Sequence, residues 1–449
     1  MSDRHLADRA LPVLVVLAAA IGVVLTAATV PYFSYDEGVY FHMAAEWARG
    51  REPYSDFFVP QPPGILCLGW TAEKLNVGIG GVRAVSVLCG LLILYQTYRL
   101  GRRISAPVGW AAAGFLASTA EWTYTSIEAA TQAPTAVVLL LAVELMLAKR
   151  LLWAGVAIGL ATVFRIQALT LLPGLGLAVL IQSGWRAAFI GNLKLAAAVL
   201  VAGAIHGLLS LTVAGYWDGV FGFQFDRPRM PWGLRSEVLT ETFAQPAAVF
   251  GLLAAIAVTL RKGVPRVVGI VALVTTAATA FAGNSLFRTY FIAVLPLLAA
   301  CGAAVVNDIL ARSQYPPRAW AVVAVLTVAS GIGAIRLHAE VDRKRESHRR
   351  FLDDIRATPA EVWLTTDGRL LEITGKRMVP DFLATDPGGL FVRDPVRFQA
   401  WFREMLPKAD AVAVTDLLAA VADPHTARAI LNCGKPLVFE SDSHQLLKR

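Results

Sequence analysis

Ser34–Gly64 reads SYDEGVYFHMAAEWARGREPYSDFFVPQPPG, and here an otherwise apolar chain turns polar. Two adjacent carboxylates, Asp36 and Glu37, follow an apolar run at 11–30. Aromatic and basic residues and the Pro62-Pro63 pair then crowd in before apolar sequence resumes. The stretch reads as a short loop between membrane segments, where water, lipid headgroups and a reactive acid can meet.

The surrounding composition sets the class. Of 449 residues, 56% are hydrophobic and 16% charged, with mean hydropathy +0.56; a soluble chain carries about 25% charged residues. Apolar runs recur at 11–30, 82–98, 106–121, 131–148, 151–164, 167–182, 193–214, 244–260, 264–282, 288–306 and 318–335. Runs near twenty residues can cross about 30 Å of hydrocarbon, so about eleven spans are expected. The fold class is an all-α polytopic membrane protein, 1–338, with a small C-terminal α/β domain at 339–449.

Basic residues set the orientation. Arg4 and Arg9, Arg99, Arg102 and Arg103, Lys149 and Arg150, Arg186 and Lys194, Arg261, Lys262 and Arg266, and Arg312 and Arg318 fall in alternate breaks. Short basic loops stay cytoplasmic. The N-terminus is therefore expected inside, with the Asp36 loop, the 215–243 loop and the C-terminal domain outside. The net charge of +8 is a topology signal, and no clustered basic face points to nucleic acid. The run at 11–30 is too long for a cleaved signal core. Cys67, Cys89, Cys301 and Cys433 show no metal-ligand spacing and no disulfide framework.

After Ala339, DRKRESHRRFLDDIR reads as an exposed helix. EVWLTT, ADAVAVTD and PLVFES read as strands, with helices at 395–407 and 416–431. No phosphate-binding glycine loop or nucleophile elbow is present. This domain is expected to cap the membrane site or to recognise the acceptor.

Ser34-Tyr-Asp-Glu37 matches a capping box, which would place Asp36 in a first helical turn, where the helix dipole favours its ionised form. Helical spacing then puts Tyr40, Met43 and Trp47 on one face, expected at the headgroups. Arg165 and Arg288 with Tyr290 stand at apolar-run boundaries expected to face outside. Arginine there suits bidentate phosphate binding, although snorkelling anchors look the same. Glu128, beside Thr131 and Gln132, suits either a helix cap or a sugar contact. The aromatic 215–243 loop suits an interfacial belt or sugar stacking.

Together the elements DEGVYFHMAAEWARGREPYSDFF, PQPPGILCLGW and GIGGVRAVSVLCGLLILYQTYRLGRR resemble the GT-C type polyprenyl-phosphate-sugar-dependent membrane glycosyltransferases. That group includes protein O-mannosyltransferases, lipid A aminoarabinose transferases and RgtA/B/C/D-like transferases. The likeness is good over 20–180, looser to 335 and weak beyond. It implies Asp36 as the base for an acceptor hydroxyl, Glu37 as its support or as a divalent-metal ligand, and Arg83 as a matched residue opening the next span. Pro60 and Gln61 stand where the aminoarabinose pattern has an acid and a base. Asp56 is the nearest acid and would serve as a supporting or metal ligand, and Gln61 as a supporting contact.

The resemblance implies a hexosyl- or pentosyltransferase in a bacterial inner (plasma) membrane. Its donor would be a polyprenyl-phosphate-linked sugar, its acceptor a lipid, glycan or protein hydroxyl, and transfer would invert the anomeric centre. A lipid-linked saccharide flippase is the alternative; it would favour inverted repeats and mid-membrane charges, which this sequence lacks. A non-catalytic assembly partner is a third reading.

Overall fold

The structure, a computed structural model, describes residues 17, 19–25, 27, 34–226, 229–281, 283, 284, 286–312, 350–365, 377, 378, 395–415, 418 and 422–439. Its helices, in chain order, are α1 (Tyr35–Ala48), α2 (Gly64–Lys74), α3 (Gly78–Arg102), α4 (Ala106–Ala117), α5 (Ala120–Ile127), α6 (Gln132–Leu147), α7 (Leu151–Ala161), α8 (Leu171–Leu195) and α9 (Ala197–Thr212). There follow α10 (Phe223–Asp226), α11 (Trp232–Phe243), α12 (Pro246–Thr259), α13 (Val264–Phe281), α14 (Leu295–Arg312), α15 (Pro395–Met405) and α16 (Pro424–Leu431). Short 3-10 turns at Ile166–Thr170 and Arg288–Ala293 precede α8 and α14.

By length and apolarity, four described stretches can cross a membrane: Gly78–Arg102, Ile166–Thr212, Val264–Phe281 and Leu295–Arg312; counting each bent pair α5–α6 and α11–α12 as one span gives six. This differs from the expected eleven for physical reasons. The runs at 106–121 and 151–164 form α4 and α7 of only 12 and 11 residues, about 18 Å or less at 1.5 Å per residue. The runs at 167–182 and 193–214 are counted together as one stretch of 47 residues, but its backbone leaves the helix at Gly184 (φ 66°, ψ 163°), so it is two helices merged across a kink. Of 11–30, only residues 17, 19–25 and 27 are described, and they are helical. The run at 318–335 lies outside the described residues.

The chain forms two compact units. One comprises Met1–Thr29, Gly80–Leu208 and Arg229–His338; the other comprises Val30–Ile79, Leu209–Pro228 and Ala339–Arg449. In the first, α12 packs on α14 and α13, α14 on α4, α7 on α6, and α13 on α8. Small residues allow these close crossings: a Cβ on Gly251 of α12 would lie 2.9 Å from both the Leu298 Cβ and carbonyl oxygen. Outward residues such as Trp185, Phe189, Leu200 and Leu211 are exposed, as lipid-facing side chains would be.

In the second unit α1 packs on α2, with Trp47 and Trp70 rings 5.4 Å apart. Tyr40 and Met43 are buried, so protein covers this part of α1, where the sequence had suggested headgroups. The segment 54–60 packs on 215–224: the Tyr54 and Tyr216 rings meet edge-on at 4.9 Å, and Phe58 and Phe223 at 5.4 Å. Gly215, at φ 74°, allows that approach, since a Cβ would strike the Tyr54 carbonyl oxygen.

The C-terminal strands β1 (Val362–Leu364), β2 (Arg377–Met378), β3 (Ala411–Val414) and β4 (Leu437–Phe439) form a parallel sheet in the order β2-β1-β3-β4. Alternate residues serve opposite faces. Leu364, Val412 and Val414 pack with Phe398, Phe402 and Ile430, while Trp363, Ala411 and Ala413 pack with Phe351 and Ile355. Both faces are covered, as a parallel sheet requires. The expected strands at β1, β3 and β4 form; β2 was not foreseen, and helix α16 begins at Pro424, behind an Asp423 cap.

Candidate active site

The acid loop is built from its cap. Ser34 is extended and its hydroxyl accepts the Glu37 amide at 3.1 Å, starting α1 with both acids in its first turn. A helix turns neighbours about 100° apart, so the adjacent acids part company. Asp36 is exposed, whereas Glu37 is fully buried. Of the two acids, only Asp36 reaches the protein surface.

Asp56 belongs to a turn: its Oδ2 accepts the Glu52 amide at 2.8 Å and its carbonyl accepts from Arg51 at 2.6 Å. Gln61 contributes its backbone carbonyl to the Tyr54 hydroxyl at 2.8 Å. Burial pushes that hydroxyl well above the ordinary tyrosine range, so it stays a donor. Among the described residues, no three His, Cys, Asp or Glu side chains gather closely enough to hold a metal ion. The Glu37–Asp56 pair therefore does not make a fitting donor set.

The basic residues lie in the other unit. Arg165 stands between α7 and the 3-10 turn Ile166–Thr170 and is only 7% exposed. Its guanidinium carbon lies 3.9 Å from the Tyr290 ring centre, and one terminal nitrogen donates to the Thr131 hydroxyl at 3.3 Å. Among the described residues no carboxylate pairs with it, and its Nε, buried, has no hydrogen-bond partner.

Arg288 is different. Its Nε and one terminal nitrogen donate to Glu121 Oε1 at 3.2 and 3.0 Å, and the other terminal nitrogen lies 3.6 Å from Glu241 Oε2. Glu121 is 2% exposed. Its Oε2 accepts from the Gln245 amide, and the Gln245 carbonyl in turn accepts the Ala120 amide at 3.2 Å. Between these arginines, Gln132 donates to the Thr289 hydroxyl at 3.3 Å. Three consecutive side chains, 288 to 290, thus reach α5, α6 and Arg165.

Glu128 sits at the C-cap of α5, buried, its Oε1 accepting from the Tyr124 hydroxyl at 3.4 Å. Arg83 is buried in α3 and donates to the Ala27 carbonyl at 3.4 Å. In the 215–243 loop, Arg235 is fully buried and donates to the carbonyls of Ala280, Gly283 and Asn284, capping the C-terminal end of α13. That arginine serves the helix end, where neither a belt nor stacking had predicted it. Glu121 and Gln245 were not singled out in the sequence. The available signal was a carboxylate closing an apolar run, which carries a functional presumption.

Residues 60–208 match the family described as dolichyl-phosphate-mannose-protein mannosyltransferase. No curated protein matches the chain in sequence. Among solved structures, ArnT from Cupriavidus metallidurans bound to undecaprenyl phosphate is similar at TM-score 0.64 and 16% identity, covering 88% of this chain and 91% of that one. The same protein in its apo state gives 0.63 at 16% identity, covering 88% and 90%. In fold the chain is thus similar to ArnT, and over residues 60–208 it matches the dolichyl-phosphate-mannose-protein mannosyltransferase family model.

Proposed function

We propose that this chain moves a sugar from a polyprenyl-phosphate donor to a hydroxyl acceptor at the extracytoplasmic face of a bacterial inner membrane. The observation that carries the reading is Arg165: a buried cation stacked on Tyr290, with no carboxylate pairing it among the described residues. Burying such a charge is costly unless an anion answers it. A phosphate bound by an arginine fork is such an anion, and the similar ArnT structure holds undecaprenyl phosphate.

The acceptor oxygen attacks the anomeric carbon as the bond from that carbon to the phosphate oxygen breaks. Polyprenyl phosphate departs with the bonding pair, and the acceptor proton passes to Asp36. Displacement from the opposite face inverts the anomeric configuration. Arg165 stabilises the charge growing on the leaving phosphate, and Tyr290 holds its guanidinium in plane. The exposed Asp36 is the proton acceptor, and the buried Glu37 supports its turn. Glu128 contacts the sugar or the acceptor, and Gln61 supports the acid loop.

In this reading the chain crosses the bilayer many times, with the N-terminus inside. Residues 1–338 form the transferase and 339–449 an extracytoplasmic domain that covers the site or selects a lipid, glycan or protein acceptor. The sugar is a hexose or a pentose. The comparisons lend no support to a flippase.

The test is sugar release from a radiolabelled polyprenyl-phosphate-sugar pool by the protein in lipid nanodiscs, with membrane extract as acceptor. Wild type should turn over; Asp36→Asn, folded and equally stable, should lose about 10²–10⁴-fold, the usual worth of a general base. Equal inactivity on every donor, combined with transport of donor across vesicles, would hand the assignment to the flippase.

A further inference from the structure

The two arginines of the site differ in how their charge is answered, and Glu121 makes the difference. Arg288 faces Glu121 on one side and Glu241 on the other; Arg165 faces a hydroxyl and a ring. A carboxylate 2% exposed is tolerated only when its oxygens are satisfied. Here Arg288 fills Oε1 with two donors, and Gln245 fills Oε2. Gln245 is itself held by the Ala120 amide, at the bend where α11 meets α12 at 93°. Glu121 is thus fixed from both sides, and it fixes the start of Arg288–Ala293. Two residues on, Tyr290 carries Arg165.

We infer that Glu121 is a positioning residue of the donor site. It neutralises Arg288, so that this arginine anchors the 288–290 turn, and it thereby sets Tyr290 beneath Arg165 and leaves Arg165 as the guanidinium for the phosphate. This inference rests on the donor reading above. It acts through Arg288 and not by touching substrate.

The experiment uses the full chain in nanodiscs, with undecaprenyl phosphate as the binding probe and donor KM and kcat measured alongside thermal stability. Glu121→Gln, which keeps an acceptor oxygen but removes the charge, should weaken probe binding and raise donor KM by at least about tenfold, as misplacement of a binding group does. Glu121→Asp should recover part of this. Arg288→Met should show a similar loss, and the double variant should be no worse than the worse single one, because both act through one pair. Should Glu121→Gln fail to fold, Gln245→Met frees one oxygen of Glu121 and should move donor KM in the same direction.

Unchanged probe binding with a lower melting temperature would reduce Glu121 to a fold element. Tighter binding in Glu121→Gln would mean that the released Arg288 itself takes the phosphate, and multiplying effects in the double variant would mean independent roles; each overturns the inference. Wild type that neither binds the probe nor turns over donor removes the donor reading and this inference with it. Normal wild-type binding with unaltered variants removes the inference alone.

Discussion

The guanidinium of Arg165 rests on the face of Tyr290, its central carbon 3.9 Å from the ring centre. The ring presents its negative quadrupole to the cation and still leaves the guanidinium edge open to a second partner. A stack of this kind orients a fork without neutralising it.

Arg165→Ala should therefore lower kcat/KM for a polyprenyl-phosphate donor by about 10²–10³-fold, the usual effect of losing one charge-stabilising donor. Arg165→Lys keeps the charge and loses the planar stack, worth about 0.5–2 kcal/mol, so its loss should be smaller. Steady-state kinetics on both variants separates the two contributions; equal losses would deny the stack any part.

The cap on α1 predicts a local effect. Ser34→Ala removes the acceptor for the Glu37 amide and should cost about 1 kcal/mol of helix stability. Faster hydrogen exchange at the 36–38 amides, with the C-terminal sheet unchanged, is the expected outcome.

Glu46 gives the same helix a pH dependence. Burial alone would raise its carboxyl, but hydrogen bonds from Arg51 and Arg49 and the charges of His42 and Arg51 outweigh it, and the carboxyl lies below its ordinary 4.5. A depressed carboxylate stabilises the folded form above its unfolded value and loses that contribution as pH falls through the folded one. Protection of the C-terminal turn of α1 should therefore fall as the medium is acidified below about 4.5, and Glu46→Gln should flatten that dependence.

How much of this was legible depends on sequence distance. Ser34, Asp36 and Glu37 lie within one turn, and strands β1, β3 and β4 announce themselves as short apolar runs between polar breaks. Arg165 stood out because a charge inside apolar sequence is rare. Glu121 did not stand out, because it closes the run 106–121 like a span end. Its meaning lies in Arg288, 167 residues away, and no periodicity connects them. The breaks were hidden for a related reason: α5 and α6 meet at 114°, yet most of α5 falls in the gap between the runs 106–121 and 131–148, which reads as a loop. Hydropathy counts apolar residues and is blind to bends.

Gly215→Ala tests the packing that holds 54–60 in place. A left-handed φ costs a non-glycine residue about 1–3 kcal/mol, and the added Cβ strikes the Tyr54 carbonyl as well. Limited proteolysis should cut this variant within 51–61 sooner than wild type.

Arg235→Ala should destabilise the bundle without touching substrate contacts. It strips the carbonyls of Ala280, Gly283 and Asn284 of a charged donor, each such bond being worth about 1.5–3 kcal/mol. The melting temperature in detergent should drop, while donor KM of the surviving folded fraction stays near that of wild type.

The separation of Glu121 from Arg288 also bears on how the chain is made. At about 5–20 residues per second, synthesis of the 167 intervening residues takes roughly 10–30 s. For that interval α5 has left the ribosome with a carboxylate that has no arginine to meet. Hydrocarbon rejects such a group, so α5 must wait at the membrane surface or beside the insertion machinery until Arg288 arrives. Closing the 121–288 pair is then a late step of biogenesis, and a chain truncated before residue 288 should be recognised by membrane proteases as unfinished.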